Sequence, residues 1–439
     1  MNGFLVRAFG LFMVAVAPSH ARSLEACIEE ALAGNAHLEA MTHRVAAAEA
    51  AIGMARSAYY PTLYANAQYA RTDNPPQAFF MNLNQRQASL QNDFNQPEDT
   101  DNLRGTLGFR MLVADAGARS LSGQSAELRA KAAEAARDAA RNELVHLVTR
   151  AYYGVLQAKA LLEVGEESVA SLRENMRVAQ ERFEAGSVVK TDVLNLEVQV
   201  AEAQDQVIRA RNGVQLALAA LNTAIGRTFV DDAEQVDPVS SELDAPVDAD
   251  AVFAGLDERP DLVAASLEAE AASREATGAQ RDRWPKLVAF GSVDADSDRL
   301  GDFEESYLVG AMVDVEIFTG KRRSAEQAMA RARSREATAR KTALRQQVEY
   351  DHTQSWLSVQ EAWSRLQVAR QSQASADEAL RITRERYEQG AADITQLLTA
   401  QLGLTSNRSR EAGAMYDFLI AESNLRRARG LLVNPLVEP

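Results

Sequence analysis

Apolar side chains recur along the chain at alternating spacings of four and three residues. This is the heptad pattern of long helices that pack through a narrow seam. One seam runs over residues 144–183 and a second over 193–224. Two more follow in the second half of the chain, over 348–387 and 397–428. The pattern therefore predicts four long helices, two in each half.

A short stretch with a glycine separates the two seams of each half. Gly186 lies in the first stretch and Gly390 in the second, and glycine adopts the left-handed conformation that ends a helix without a steric penalty. Asp393, with Gln396 three residues later, resembles a capping box that begins the next helix. Each half therefore contains an antiparallel helical hairpin. The predicted hairpin tips are residues 183–192 and 387–397.

Four shorter segments change the period to two, the pattern of a β-strand with one apolar and one polar face. In the last segment Val309, Ala311 and Val313 lie on one face, while Asp314 and Glu316 lie on the other. Strands of about ten residues with this alternation are typical of a membrane-spanning β-barrel with a wet lumen. The predicted strands are residues 61–72, 103–114, 285–298 and 306–318.

An aromatic residue and a proline stand at the start of the first and third predicted strands. These pairs are Tyr60 with Pro61 and Trp284 with Pro285. The residue before a proline avoids the helical conformation, so each proline ends the helix that precedes it. Tyrosine and tryptophan favour the interface between membrane and water. The four residues are therefore predicted to anchor the strand entries.

Composition agrees with a helical chain that has no thick globular core. The 439 residues are 46% hydrophobic but only 6% aromatic, which fits helices packed closely through small side chains. The first 21 residues form a predicted signal peptide, with Arg7, an apolar run over 8–17 and a small-x-small cleavage signal that ends at Ala21. The formal charge is −15, so the chain has no electrostatic reason to bind nucleic acid.

The two halves of the chain repeat each other. The sequence RFEAG at 182–186 returns as RYEQG at 386–390. Repetition at a fixed offset indicates duplicated structural units. The predicted domains are a first repeat over 22–226, an acidic equatorial linker over 227–259, a second repeat over 260–430 and a tail over 431–439.

Four strands are too few to close a barrel, and an open sheet edge in lipid leaves backbone groups without hydrogen bonds. The barrel must therefore be shared between subunits, and three copies provide twelve strands and a lumen wide enough for water. The predicted fold class is α+β. It combines long antiparallel coiled-coil hairpins with four transmembrane strands per protomer of a homotrimer, and it contains two internal repeats.

The sequence shows no arrangement for catalysis or for cofactor binding. The five histidines, at positions 20, 37, 43, 146 and 352, lack the spacing of a metal site, and no nucleophile–base pair or phosphate loop is present. We therefore expect no enzyme activity, no cofactor and no metal. The single cysteine, Cys27, lies in a helical pattern without a proper lipobox. It is either a half-buried helix residue or a site of lipid attachment.

Taken in order, these features resemble the TolC family of outer-membrane efflux channels. The resemblance rests on the signal peptide, the duplicated plan, the two tips, ERPDL at 258–262, and the strand entries YYPTL and RWPKL, and it covers essentially the whole mature chain. It implies a homotrimer with its barrel in the outer membrane, in contact with lipid, and a helical α-barrel in the periplasm. It also implies two protein partners, a periplasmic adaptor (membrane fusion) protein and an inner-membrane exporter.

The resemblance further implies a periplasmic gate at the hairpin tips. Its lock pairs an aromatic residue before the second glycine with an aspartate after the first, and the matching residues are Tyr387 and Asp192. The simpler interpretation is that Tyr387 only ends a seam and that Asp192 is a charge favoured at a helix N-terminus. Gly186 and Gly390, at the tips, are the expected turns and adaptor-docking points.

Three residues at the second tip depart from the family pattern. Ala392 replaces a basic latch residue, and Gln396 and Thr399 replace two acids that line the constriction. The usual ring of carboxylates is therefore missing from its place. Asp393, an acid in the same tip, is a candidate partial substitute.

Three functions stay open at this stage. The first is a passive exit duct for small molecules such as drugs or metal ions, and the second is the exit duct of a type I protein-secretion system. The third is a periplasmic coiled-coil scaffold without a pore, which the four amphipathic strands argue against. The long connection over 73–102 and the short one after the third strand are both predicted to be extracellular. In the long connection, Phe79, Phe80 and Met81 either fold into the barrel mouth or belong to a partly disordered loop.

Overall fold

The fold is described from a computed structural model of the chain. The structure describes residues 22–89, 95–227, 236–239, 243–246 and 255–430. The predicted signal peptide (1–21) and tail (431–439) lie outside the described residues, as does most of the predicted linker (227–259).

The described chain is mostly helical and contains one antiparallel sheet. Helices α4 and α7 each have 67 residues, and each is followed by a 36-residue helix, α5 or α8. The elements in chain order are α1 (Leu24–Gly34), α2 (Ala36–Ser57), β1 (Thr62–Thr72), α3 (Pro75–Asn84), β2 (Thr100–Ala114), α4 (Ala118–Glu184), α5 (Lys190–Ile225), α6 (Pro260–Arg281), β3 (Lys286–Ser297), β4 (Glu304–Asp314), α7 (Arg322–Glu388) and α8 (Ile394–Arg429).

The strands fall close to their predicted positions, but the fourth is shorter than expected. β4 ends at Asp314 rather than at residue 318. A turn follows in which Gly320 and Lys321 both have positive φ angles, 60° and 67°. Such a conformation does not continue a strand, so the chain turns here into α7.

The prediction of a loop over 73–102 is wrong in its first part, because this connection contains α3. Two prolines occupy the first turn of α3, and the side chain of Asn74 accepts a hydrogen bond from the backbone N–H of Gln77. Asparagine at the N-cap followed by proline in the first turn is a helix-start signal. The sequence therefore carried this information, but the segment is only ten residues long and has no seam pattern.

The chain forms two compact units, and each draws on both sequence halves. One unit takes its chain from Met1–Glu39, Ala140–Leu256 and Val348–Pro439, and it is helical in the described residues. The other takes Ala40–Ala139 and Asp257–Gln347 and contains the sheet. The predicted repeats follow one another along the sequence, whereas the compact units interleave them.

The core of the helical unit is built largely from the predicted seams. Val148, Val155 and Leu221 are fully or almost fully buried there. Tyr152 was not predicted as a core residue, yet it is buried, and its hydroxyl lies 2.8 Å from the carbonyl oxygen of Asp237 and 3.0 Å from that of Arg22. Cys27 is fully buried in the same core, which favours the structural interpretation of this cysteine over lipid attachment.

The seam prediction fails at one tip. Phe183 is 36% exposed, whereas Tyr387, the residue at the same place in the second half, is 3% exposed. Phe183 lies in the last turn of α4, and Tyr387 belongs to a separate core cluster near the tips. Periodicity marks which face of a helix is apolar, but it does not show whether a neighbour covers the last turn.

The sheet has the strand order β1-β2-β3-β4, and all its pairs are antiparallel. A register shift lies between Leu112 and Ala114, near the end of β2. Among the described residues, no helix combines the length and the apolar character needed to cross a membrane.

We expect His146 to make the helical unit sensitive to acid. His146 is buried in α4, and its Nδ1 lies 3.1 Å from the Ser423 hydroxyl. Burial, reinforced by Arg427 and opposed by Glu143, lowers the pKa of His146 from its usual 6.5 to about 4. Between these two pH values the unfolded chain binds a proton that the folded chain does not bind, so stability falls as the pH falls from 6.5 to about 4.

The measurement is the midpoint of thermal unfolding, followed by circular dichroism, at about pH 7.5 and about pH 5. The variant His146→Gln should lose less stability on acidification than the parent chain. His43→Gln, at an exposed position of α2, serves as the matched control and should keep the parent's acid sensitivity. An identical acid response in the parent and in His146→Gln would contradict the assignment.

Candidate functional site

One face of the sheet is apolar and exposed. The register places Ala65, Leu107, Val293 and Tyr307 in one row across the four strands. Tyr307 is 83% exposed, and Leu107 and Val293 are also exposed. Val309 and further large apolar residues lie on this same face. A contiguous exposed apolar surface marks contact with lipid or with another protein.

The opposite face of the sheet is polar. Its rows include Gln68, Arg104, Asp296 and Glu304, in register across the four strands. Asp296 is only 1% exposed and accepts hydrogen bonds from Asn102 Nδ2 (2.7 Å) and Arg104 Nε (2.8 Å). A buried carboxylate needs such partners, because its desolvation is otherwise costly. The two faces therefore differ as the two sides of a membrane pore wall do.

The outer strands of the sheet are β1 and β4. In the described part of the chain each of them pairs with one neighbour only, β1 with β2 and β4 with β3. Each therefore presents a row of backbone groups along its outer side that no other strand of this chain satisfies.

The predicted strand anchors lie where expected relative to the sheet. Tyr60 and Pro61 directly precede β1, and Trp284 and Pro285 directly precede β3. Tyr60 is 72% exposed and Trp284 54% exposed, so both rings are available to an interface. Their anchoring role stays a prediction.

Both hairpin tips end their first helix in the same way. The N–H of Gly186 donates to the carbonyl of Phe183 (2.9 Å) and that of Ser187 to the carbonyl of Arg182 (2.8 Å). The matching bonds of the second tip measure 3.0 and 2.8 Å. Gly186 and Gly390 have φ angles of 75° and 74°. This is a Schellman motif, and its left-handed residue explains the glycine in each tip.

Tyr387 is buried between the two tips of one chain. Its cluster includes Ala179 of α4, Val193 of α5 and Leu397 of α8. The guanidinium of Arg182 lies over the tyrosine ring, 4.9 Å from its centroid, and donates a hydrogen bond to the Tyr387 carbonyl. A cation over an aromatic face is attracted by the ring quadrupole. Arg182 therefore joins the end of α4 to the end of α7.

The structure does not form the predicted hydrogen bond between Tyr387 and Asp192. The Tyr387 hydroxyl is buried and has no hydrogen-bond partner among the described residues. Burial raises the pKa of Tyr387, the charge of Asp192 raises it further, and Arg182 opposes both effects. Asp192 is therefore near the phenol, but within one chain the two groups do not form the lock.

Asp393 begins α8 as its N-cap. Its carboxylate accepts a hydrogen bond of 2.8 Å from the backbone N–H of Gln396, which is the first half of the predicted capping box. Gln396 and Thr399 are exposed next to it. An N-cap role accounts for Asp393 in full. A function in the constriction stays a prediction.

Comparison with known proteins identifies the family. The sequence model of the family described as "Outer membrane efflux protein" matches residues 27–227 and 254–431. The chain belongs to this family. The resemblance to TolC-type channels is thereby confirmed, and the protein resides in the outer membrane with its helical part in the periplasm.

Three curated relatives illustrate the range of this family. The alkaline protease secretion protein AprF of Pseudomonas aeruginosa is 24% identical over 79% of this chain and 73% of its own length. The fusaric acid resistance protein FusA of Burkholderia cepacia is 27% identical over 70% of this chain and 58% of its own. The outer membrane protein TolC of Escherichia coli is 22% identical over 94% of this chain and 83% of its own.

Solved structures support the same fold. The outer membrane protein VceC from Vibrio cholerae superimposes with a TM-score of 0.79 at 20% identity, over 93% of this chain and 96% of that one. A membrane protein from Pseudomonas aeruginosa gives a TM-score of 0.82 at 23% identity, over 93% and 90%. At this level of identity the likeness establishes the fold alone.

Sequence reasoning missed Arg182 as a tip residue of this channel-family chain. The signal was present, because arginine directly precedes the aromatic residue in both RFEAG and RYEQG. The equivalent residue of the second tip, Arg386, donates to the carbonyl of Ala391 in its own tip (3.4 Å). Only the folded chain shows that Arg182 reaches across to the other tip.

The pairing of Tyr387 with Asp192 stays a prediction, and its test is the double variant Tyr387→Phe/Asp192→Ala. We expect the double variant to raise the single-channel conductance in planar bilayers. The reason is that, if the pair forms in the assembled channel, its hydrogen bond to a charged acceptor contributes about 1.5–3 kcal/mol, which the closed tips of the double variant lose. Ala392 and Gln396 are neutral, so neither adds a charged latch beside the pair.

Arg182→Ala separates this lock from the contact that the structure shows. It removes a cation–π interaction of about 0.5–2 kcal/mol together with the bond to the Tyr387 carbonyl. Arg386→Ala is the matched control, since it removes the arginine that stays within its own tip. If only Arg182→Ala raises conductance, the tips form the gate but Asp192 is not its lock. If no variant changes conductance, the constriction lies elsewhere.

Proposed function

We propose that three copies of this chain form an outer-membrane exit duct, with a twelve-stranded barrel and a helical tunnel in the periplasm. The observation that carries this proposal is the four-stranded sheet. In the part of the chain that the structure describes, its two outer strands each pair with one neighbour only, one of its faces is apolar and exposed, and the other is polar.

The physical argument starts from the strand edges. Inside a bilayer no water is present to bond the free N–H and C=O groups of β1 and β4, so these groups need strand partners. The outer edge of β4 in one copy can pair with the outer edge of β1 in the next, and this contact closes a ring by rotation. Twelve strands enclose a lumen that holds water. The polar rows then face this lumen, and the apolar rows face lipid.

The helices supply the periplasmic part of the duct. Each chain carries two pairs of consecutive long helices, α4 with α5 and α7 with α8. In the proposed duct each predicted repeat, 22–226 and 260–430, supplies one of these pairs as a hairpin. Three chains therefore bring six tips to one ring. The proposed partners at this ring are a periplasmic adaptor protein and, through it, an inner-membrane exporter. No cofactor is required, because the duct is passive and the exporter provides the energy.

The proposed cargo is a small molecule, which the resistance role named for the relative FusA supports. The relative AprF, named for the secretion of a protease, supports a second candidate, the exit duct of a type I protein-secretion system. Both candidates use the same architecture and differ in the exporter that supplies the cargo. Membership of an outer-membrane efflux family argues against the scaffold without a pore.

Two neighbouring residues of β4 test which face of the sheet meets lipid. Val309 lies on the apolar face and Leu308 on the polar face, and both are exposed. We expect Val309→Arg to reduce the amount of folded trimer, because arginine near the bilayer midplane costs about 2–4 kcal/mol. Leu308→Arg, the matched control, places the same charge in the lumen and should assemble normally.

The measurement is the mass of the detergent-purified particle by light scattering, together with its conductance in planar bilayers. The parent and Leu308→Arg should be trimers that conduct. A monomer that is folded and soluble without detergent would contradict the channel. Equal loss of assembly in both arginine variants would contradict the assignment of the faces.

Deleting the gene distinguishes the two kinds of cargo. We expect the deletion strain to become more sensitive to small amphipathic toxic compounds, while the set of proteins it secretes stays the same. Expression of the parent chain should restore resistance, and expression of Val309→Arg should not. The opposite result, normal resistance together with the loss of a secreted protein, would favour the type I secretion duct.

A further inference from the structure

The helix α3 packs against the polar face of the sheet. Along the chain α3 follows β1 and precedes β2. It therefore lies at the end of the sheet that also carries the short β3–β4 turn. Phe80 and Met81 of α3, together with Gln68 and Arg104 of the sheet, line a cavity of about 260 Å³ between them. Both sheet residues belong to a row of the polar face. α3 therefore covers the side of the sheet that the proposed function assigns to the lumen.

The start of α3 is fixed to the end of β1. The Thr72 hydroxyl lies 3.1 Å from the backbone nitrogen of Asn74 and accepts its hydrogen bond. The same hydroxyl lies 3.3 Å from the side-chain oxygen of Gln77. Asn74 caps the helix, and the fixed φ of the prolines in the first turn limits its freedom further.

The end of α3 is fixed to the other strands. Gln85 is buried, and its Nε2 donates to the backbone oxygen of Asp101 (2.7 Å) and to the side-chain oxygen of Asn102 (2.8 Å) on β2. Asn102 in turn donates to Asp296 on β3. Arg86 pairs with Glu304 on β4 at 3.1 Å. These contacts hold Arg86 at a φ of 53°, which residues with a Cβ rarely adopt.

From this placement we infer that α3 forms a constriction at the outer mouth of the pore and limits the size of what passes. This inference rests on the proposed function, since a polar face that lines no lumen has no mouth to narrow. Three strands and both helix ends hold α3, so it is a fixed part of the wall rather than a loop that moves aside. Phe80 and Met81 provide bulk above the polar rows, and the anchors Gln85 and Arg86 keep that bulk in place.

The test uses cysteines that report from the two sides of α3. Asn66→Cys places a thiol on the polar face of β1, nearer than α3 to the periplasmic end of the strand. Leu300→Cys places a thiol in the β3–β4 turn, where the native residue is 85% exposed. Native Cys27 is buried, and the parent chain measures its background. Intact cells receive either a small methanethiosulfonate or a maleimide carried on a large polyethylene glycol.

We expect both reagents to label Leu300→Cys quickly. The large reagent should label Asn66→Cys at least ~10-fold more slowly than it labels Leu300→Cys, because an unanchored α3 is at most a minor state. Replacing residues 75–86 with a flexible linker of equal length should remove this difference. The double variant Gln85→Ala/Arg86→Ala keeps the helix but removes its anchors. It should raise the rate at which the large reagent labels Asn66→Cys, but by less than the linker replacement does. The matched control Arg299→Ala, whose pair with Asp302 stays within the β3–β4 turn, should change nothing.

The outcomes separate this inference from the proposed function. If the large reagent labels Asn66→Cys in the parent as fast as Leu300→Cys, the pore stands and α3 does not narrow it. If the large reagent still labels Asn66→Cys slowly after α3 is replaced, while the small reagent labels it normally, another element narrows the mouth and the inference is wrong. If even the small reagent fails to reach Asn66→Cys after the replacement, while Leu300→Cys reacts normally, the polar face lines no lumen. Both proposals then fall together.

Discussion

The hydrogen bonds of the sheet edges are the constraint on which the rest of the structure depends. A four-stranded sheet in water exposes two edges at little cost, because water bonds the free groups. The same sheet in a bilayer has no such solvent, and every unpaired backbone group costs several kcal/mol. With β1 and β4 as its outer strands, this sheet is incomplete as a single chain in lipid. If three copies close a ring, as proposed, assembly is part of folding, and the polar and apolar faces separate lumen from lipid only once the ring is closed.

The sequence carries much of this architecture because its main signals are local and periodic. A heptad seam needs only the spacing of residues such as Val148 and Val155, and a strand with two faces needs only alternation. Gly186 and Gly390 each mark a tip in the sequence, because the left-handed turn that ends the helix favours glycine. Periodicity does not show which distant segment of the chain packs against a given helix face. Tyr152 was missed in the core because its position follows from contacts with distant segments near Arg22 and Asp237.

The candidate sites were harder to predict than the fold for the same reason. The sequence places Tyr387 and Asp192 near the two tips, but the folded chain joins Tyr387 to Arg182 instead. A contact across about two hundred positions leaves no mark in a local pattern. The helix α3 is the opposite case, because its Asn-Pro-Pro start was visible in the sequence. Its place on the polar face, however, follows from the contacts of Gln85 with β2 and of Arg86 with β4, which no local signal reports.

The two predicted repeats end their first long helix in the same way, but their tips differ in the environment of two side chains. Both tips close with the same Schellman bonds and nearly the same glycine angles. Their aromatic residues differ, since Phe183 is partly exposed while Tyr387 is buried. Their arginines differ too, because Arg386 stays in its own tip while Arg182 crosses to the other one. If the two tips were identical, each arginine would make the same contact with the other tip. The contact of Arg182 with Tyr387 therefore links the two hairpins of one chain at their tips, whereas Arg386 bonds within its own tip.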